Sequence, residues 1–489
     1  MKKTFSSPLL IVSTVVLTAC LIIVALVATA RSAGATLART QAHAPSSVAQ
    51  IALPNSTAAY NGVMTPSTTL YAPWMLGSTS VLRVYNAGAV SATVRATFVY
   101  SPEIAIQTVI RPGAVGDIQT TLIETATQFS AIVTATQPIV AIVNDFGPDG
   151  IYATSYAAMP AELGRTRLVL PSVQYGGDAE NSEIAVQNVG ALTTAVTILY
   201  TQTNKTTPTQ WSDSLASLPP GETHIFRASD VVTDTTSENM ATIHSDHPVV
   251  AVVNTAKPPE IGALHPERSY VYRASLPGAG MDQDSPLYFP FLAREFAGWK
   301  ESMIRITNAS SSGVTFSLHV SEGESQKTID AWAAQLYLLS TEAPSLSEDA
   351  VAGYITDTLP LESLVWLYGK GNFVNDFLAA YSAPGTGANF SYLPYTDQSS
   401  TFVTYVAVQN LADDTAAITL THHTISGTVS TYPDTIGGNE MRYYLGGSGI
   451  PSNFTGGVVV QSDRPVAAVA VVAGQLILDE TNYLPIVFK

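Results

Sequence analysis

Short runs of alternating apolar and polar residues fill most of this chain, and they come in one pattern stated four times. Val81-Leu82-Arg83-Val84-Tyr85-Asn86-Ala87-Gly88 ends on asparagine and turns. Glu183-Ile184-Ala185-Val186-Gln187-Asn188-Val189-Gly190, Met303-Ile304-Arg305-Ile306-Thr307-Asn308-Ala309-Ser310 and Tyr405-Val406-Ala407-Val408-Gln409-Asn410-Leu411-Ala412 repeat it. Alternation of this period marks a half-buried strand. Between 52 and 60 residues after each asparagine, a proline (Pro138, Pro248, Pro360, Pro465) precedes a nearly unbroken apolar run. Such a run fits a strand covered on both faces. Each proline is expected to open its strand, where a missing N–H costs no ladder bond. Each asparagine is expected at a strand end, accepting left-handed backbone angles and bonding its own turn.

A boundary motif precedes every copy: Leu70-Tyr71-Ala72-Pro73, Leu168-Val169-Leu170-Pro171, Leu287-Tyr288-Phe289-Pro290 and Ser391-Tyr392-Leu393-Pro394. A fifth stands at the end, Asn482-Tyr483-Leu484-Pro485-Ile486-Val487. Six or seven strands per copy, divided by turns such as Arg111-Pro112-Gly113 and Pro219-Pro220-Gly221, predict an all-β chain of four tandem β-sandwich repeats. Their bounds are 69–165, 166–284, 285–388 and 389–489. If each boundary strand also closes the unit before it, the units form a stiff rod, each about 35–40 Å long; otherwise the fifth copy is coincidental. The third unit departs most, with Glu362 and Ser363 inside its apolar run and Trp366 after it.

Residues 1–35 break the pattern. Lys2 and Lys3 precede a charge-free span, Leu9–Ala30, long enough to cross a bilayer as a helix. Small-residue sites at Ala28-Thr29-Ala30 and Ala33-Gly34-Ala35 leave a cleaved signal peptide and a retained membrane anchor both open. Either way, the positive flank directs the remainder outside the cytoplasm, to the extracellular space or cell surface. Leu17-Thr18-Ala19-Cys20 resembles a bacterial lipobox, which implies lipidation at Cys20; the alternative is a cysteine buried in an apolar helix. Residues 36–68, rich in Ala, Ser, Thr and Pro, read as a flexible tether.

Composition narrows the function. Charged residues make up 12 % of the 489, about half the usual ~25 %. A net charge of −16 without a basic cluster argues against nucleic acid as a partner. Cys20 is the only cysteine, so the folded region holds no disulfide and no Cys-ligated metal. The Asn turn, β-run and Pro-Gly-Glu turn between Asn188 and Glu222 resemble bacterial cell-surface immunoglobulin-like repeats, including the CARDB type. The resemblance covers half a unit; it implies an immunoglobulin-like sandwich and a surface role linked to adhesion, and it supplies no functional residues.

Standard catalytic signatures are missing: no Gly-x-Ser-x-Gly elbow, no His-Glu-x-x-His helix, no phosphate loop, no dinucleotide fingerprint. The expectation is therefore no enzyme, no catalytic residues, no cofactor and no metal. The nearest metal candidates are His244 with Asp246, which share a strand face, and the adjacent pair His422 and His423. Carboxylates that suit calcium occur at Asp145 and Asp149, at Asp178, Glu180 and Glu183, and at Asp282 and Asp284; each set reads first as a solvated acidic loop. Two functions follow. The first is an exported, non-enzymatic stalk, adhesion or envelope component, partnered by envelope proteins or surface glycans and by the membrane if residues 9–30 are retained. The alternative is a carbohydrate- or calcium-binding module using loops at the sandwich ends, motivated by Trp74, Trp211, Trp299 and Trp332.

Overall fold

The computed structural model describes residues 57–77, 80–99, 104–120, 128–146, 153–176, 181–204, 208–234, 236–257, 272–277, 279–280, 286–296, 299–320, 323–346, 349–356, 361–369, 378–399 and 402–474. The apolar span 9–30, Cys20 and the fifth boundary motif lie outside them. The chain is all-β, as the alternation predicts. Units 1, 2 and 4 are each two layers sharing one long strand; in unit 3 its place is taken by two strands, Asp349–Ile355 and Leu361–Gly369, with residues 357–360 between them outside the described residues. In unit 1 the first half of Phe129–Phe146 pairs with Ser67–Met75 and Ala92–Phe98, and its second half with Ser80–Asn86 and Ala153–Ala157. The apolar run sits in this second half, where Ile139 to Val143 are buried on both faces.

Three of the four prolines do not open strands; Pro360 lies outside the described residues, and the strand Leu361–Gly369 begins directly after it. Pro138, Pro248 and Pro465 lie inside single strands, Phe129–Phe146, Thr236–Lys257 and Thr455–Gly474. Each falls where the strand leaves one layer for the other and its register with the boundary strand slips, for example between Arg165/Val249 and Arg167/His244. At such a corner neither sheet needs the N–H that proline lacks.

The asparagines do bond their turns, but for a different backbone reason. Asn86, Asn188, Asn308 and Asn410 are fully buried, and none has a positive φ. In every copy Nδ2 donates to the carbonyl four residues on, at 2.7–2.8 Å, and to a carbonyl of the facing turn (Ile110, Leu218, Asp330, Gly437). Oδ1 accepts the N–H two residues on at 2.9–3.0 Å. The side chain staples two turns together, and the left-handed residue sits in the facing turn instead. Asn86→Gly, harmless if the backbone angle mattered, is expected to cost about 3 kcal/mol by stranding buried carbonyls, and Asn86→Asp at least as much because it removes the donors. Urea unfolding monitored on unit 1 measures both.

Among the described residues no boundary strand pairs with the unit before it; apart from a bridge between Val63 and Tyr392, each pairs within its own unit. A shorter strand closes the unit: Ala153–Ala157 in unit 1, Tyr272–Pro277 in unit 2 and Leu378–Ser382 in unit 3 pair with the ends of the long strands. Unit 4 takes its closing strand from the other end of the chain. Thr57–Asn61 pairs with it through Ala59↔Val471 and Tyr60↔Ala470. The last part of the expected tether is thus a core strand. The closing strand of unit 1 contacts those of units 2 and 4, and that of unit 3 does the same. The units therefore form a closed circuit, 1–2–3–4–1, and the expected open rod is corrected.

Sequence explains the closure. The closing strands carry Ala58-Ala59-Tyr60, Thr154-Ser155-Tyr156, Ala274-Ser275-Leu276 and Ala379-Ala380-Tyr381 in equivalent register. Small residues let four strands approach one another. The tyrosine completes a bulge at the boundary proline, where two residues of the boundary strand oppose one. Tyr156 donates to the Trp74 carbonyl at 2.5 Å and accepts the Trp74 N–H at 3.0 Å. Tyr381 does the same for Phe291, and Tyr60 for Tyr395.

Every junction in the circuit is apolar at its centre, but two are reinforced differently. Ala185, Val189, Val250 and Val252 of unit 2 join the core of unit 1. Ala407, Val469 and Val471 of unit 4 join that of unit 3, where Phe291 and Trp299 pack on Tyr405. Three residues before the turn asparagine these two junctions have alanine, Ala185 and Ala407; the other two have arginine, Arg83 and Arg305.

Candidate functional site

Arg305 reaches from unit 3 into unit 2 and is 5 % exposed as a residue. Its Nε donates to the Pro171 carbonyl at 3.0 Å, Nη1 to Glu238 at 2.7 Å and Nη2 to Thr203 Oγ1 at 3.0 Å. Arg83 is its counterpart at the 4–1 junction, paired with Asp117 at 2.6 Å and lying 4.5 Å over the Tyr395 ring. Beside Arg305, and only at the 2–3 junction among the four equivalent places, three substitutions in the repeat coincide.

The first is Val169. Two residues before the boundary proline the other units have Tyr71, Tyr288 and Tyr392. Tyr392 packs on Tyr85 of unit 1, ring centroids 5.6 Å apart, within a cluster that includes Val140. Tyr71 packs on the cluster holding Val189 and Val250 of unit 2. Tyr288 lies near Asp413 of unit 4, whose negative charge adds to burial in raising its pKa. Tyrosine packs into two of these junctions and lies near unit 4 at the third, whereas the fourth has the smaller Val169.

The second is Trp332. It has φ 57, at the position of Gly113 (φ 63), Gly221 (φ 79) and Asn439 (φ 58) in the other facing turns. Its N–H donates to the Ser310 carbonyl at 3.1 Å. A bulky residue held in this region stores about 1–2 kcal/mol of strain, a feature that concentrates at functional sites. Its ring packs on Val169, Met240 and Ala309.

The third is Glu362. It pairs across the sheet with Thr307 and stands where the other units have Val140, Val250 and Ala467. It is 7 % exposed, with no hydrogen-bond or ionic partner among the described residues. Burial alone pushes its pKa from 4.5 up to about 8. Together Val169, Trp332 and Glu362, with Arg167, Ala309, Ser310 and Ser311, line a cavity of about 270 Å³. A cleft at a junction of domains, with an apolar wall and a few convergent polar groups, is the usual form of a small-ligand site.

The other sequence candidates fall elsewhere. Asp246 accepts the Ala195 N–H at 3.4 Å, just as Asp463 accepts that of Ala417 at 2.8 Å and Thr136 that of Thr93 at 2.9 Å. Its place in the repeat is structural. His244 pairs with Arg167 across the sheet, and burial and the Arg167 charge lower its pKa. His422 Nδ1 faces Ser430, and His423 Nδ1 lies 2.7 Å from the Gly113 carbonyl of unit 1. No group of three His, Cys, Asp or Glu able to hold a metal occurs among the described residues. Asp145 is buried near Ser80, and Glu183 pairs with Arg227 at 2.9 Å. Asp149, Asp178, Glu180, Asp282 and Asp284 lie outside the described residues. Trp74 and Trp299 are core residues, and Trp211 sits half-buried opposite Tyr200, which leaves Trp332 alone of the four at the cleft. Arg167 and Val169 carried no expectation; Val169 was visible as the one boundary motif without tyrosine.

No protein-family model matches this chain, and no curated protein matches it. Two solved structures are similar in part. Thermotoga maritima 1070 is 15 % identical over 24 % of this chain and 95 % of that one, with a TM-score of 0.19. A tetra-tandem repeat from the extending region of a large adhesion protein is 14 % identical over 86 % of this chain and 99 % of that one, with a TM-score of 0.12.

Proposed function

We propose that this chain is an exported, non-enzymatic binding protein whose four β-sandwich units form a ring, with the cleft between units 2 and 3 as its ligand site. The carrying observation is the coincidence of Val169, Trp332 and Glu362 at one junction where the repeat otherwise has tyrosine. The Trp332 ring packs on Val169, but a buried carboxylate and a strained backbone serve no packing need that the other three junctions show. Residues 1–35 supply export or anchoring, and envelope proteins or surface glycans are the setting. The stalk reading is the weaker one, because a ring closed through all four junctions leaves no free junction for end-to-end stacking.

A ligand-observed NMR screen of small polar fragments, run on the full chain in detergent, tests the cleft. Hits should disappear in Val169→Tyr, which restores the tyrosine of the other units. Hits that persist in that variant, or no hits at all, would remove the reading.

A further inference from the structure

We infer that the cleft takes a small organic cation, a molecule the size of a monosaccharide or an amino acid whose ammonium group sits against Glu362 on the wall it shares with Trp332. The inference rests on the cleft being a ligand site, and it adds the chemistry. A carboxyl group this buried persists only as the neutral acid or beside a cation. Among the described residues no cation pairs with it: Arg305, on the paired strand, is committed to Pro171, Glu238 and Thr203, and Arg167, on the same lining, exerts no resolved charge effect on the carboxyl. A ligand ammonium would fill that role, and the Trp332 indole in the same cavity adds cation–π attraction. Burial favours the protonated acid in the empty cleft, so ligand binding and ionisation of Glu362 are coupled.

A metal ion fits this place poorly. Hard cations need several oxygen ligands, and here one carboxylate faces an indole, two serines and an arginine. Arg167, on the same lining, adds positive charge from the unit 2 side, which disfavours dications. The volume, about 270 Å³, falls just below the ~300–1,000 Å³ of drug-sized sites, so the ligand is small.

Isothermal titration calorimetry on the full chain in detergent provides the test. D-glucosamine, ethanolamine and tetramethylammonium are the ammonium probes; D-glucose and ethylene glycol are neutral counterparts of the first two. At least one ammonium probe should bind tenfold or more tightly than its neutral counterpart. Preference for glucosamine points to an amino sugar, and preference for ethanolamine to a simple amine or amine headgroup. Glu362→Gln should abolish the preference, and Val169→Tyr should abolish binding. Trp332→Gly, which matches Gly113 and Gly221 and so folds without strain, should weaken ammonium binding severalfold. If neutral and ammonium probes bind equally and Val169→Tyr still blocks both, the ammonium assignment is wrong and the cleft survives. If no ammonium probe binds, the assignment is overturned; if fragments also ignore Val169→Tyr, the cleft falls with it.

Discussion

A chain beginning at Gly62 is expected to lose unit 4 while units 1 to 3 stay folded. Compared with a chain beginning at His43, it lacks the strand Thr57–Asn61, which pairs with Val469 to Ala473 and buries Ala58, Ala59 and Tyr60. Losing a buried tyrosine alone costs about 3–5 kcal/mol. The N–H and carbonyl of Tyr395, both bonded to the Tyr60 hydroxyl, are stranded as well, at about 1–3 kcal/mol. A sum near 5 kcal/mol is the whole stability of many domains. Hydrogen exchange should show unit 4 losing protection first, and a peptide of residues 55–63 added in trans should restore it. Unchanged protection in unit 4 would mean that the circuit does not depend on the N-terminal strand. Tyr60→Phe separates the two contributions: it keeps the ring, removes the hydroxyl, and should cost about 2 kcal/mol.

The second large effect is a loss of stability as pH rises, carried by Glu362. Folded, its carboxyl holds a proton up to about pH 8; unfolded, it releases it near 4.5. Between those values the unfolded chain binds fewer protons, so stability falls with increasing pH. The contribution is complete below about 4.5 and gone above about 8, with a span of about 5 kcal/mol. His422 and His423 act oppositely. Burial lowers both, so their contribution is present above 6.5 and declines as pH falls below it. The difference between the wild-type chain and Glu362→Gln cancels the histidines. That difference should favour the variant progressively from pH 5 to 8, read from urea midpoints. A flat difference would mean that Glu362 is solvated and ionised throughout.

Fourfold repetition, the all-β class and the doubly covered long strand were legible because each is a local property of hydrophobic spacing. The turn asparagines were legible in position and only partly in cause: a side chain that staples two turns leaves the same mark on a sequence as one that tolerates left-handed angles. The prolines misled because a strand that changes layers reads, in one dimension, like one strand ending and another beginning. Closure was the main thing missed. Its signal, a small-small-tyrosine triplet at Ala58, Thr154 and Ala379, was present, but unit 2 has Leu276 in place of the tyrosine and the first copy lies in a segment that resembles a linker. Glu362 stood out as an oddity in an apolar run, whereas Trp332 was one of four tryptophans that pointed equally to a loop site. That they meet Val169 and Arg167 follows only from the junction, which joins residues well over a hundred positions apart.

Placing the first strand of the ring inside its last unit also dictates an order of events during biosynthesis. Tyr60 and Tyr395 are 335 positions apart, and the strand that Tyr60 completes ends at Gly474. Units 1 to 3 hold all their own strands and can fold as they emerge, whereas Thr57–Asn61 has no partner until nearly the whole chain exists. At about 5–20 residues per second, that wait is on the order of tens of seconds to a minute. Throughout it, an unpaired strand carrying Ala58-Ala59-Tyr60 is available to any neighbouring nascent chain with an unfinished unit 4. The late closure is therefore the step at which two copies of this protein would exchange strands, and the step a chaperone would most need to guard.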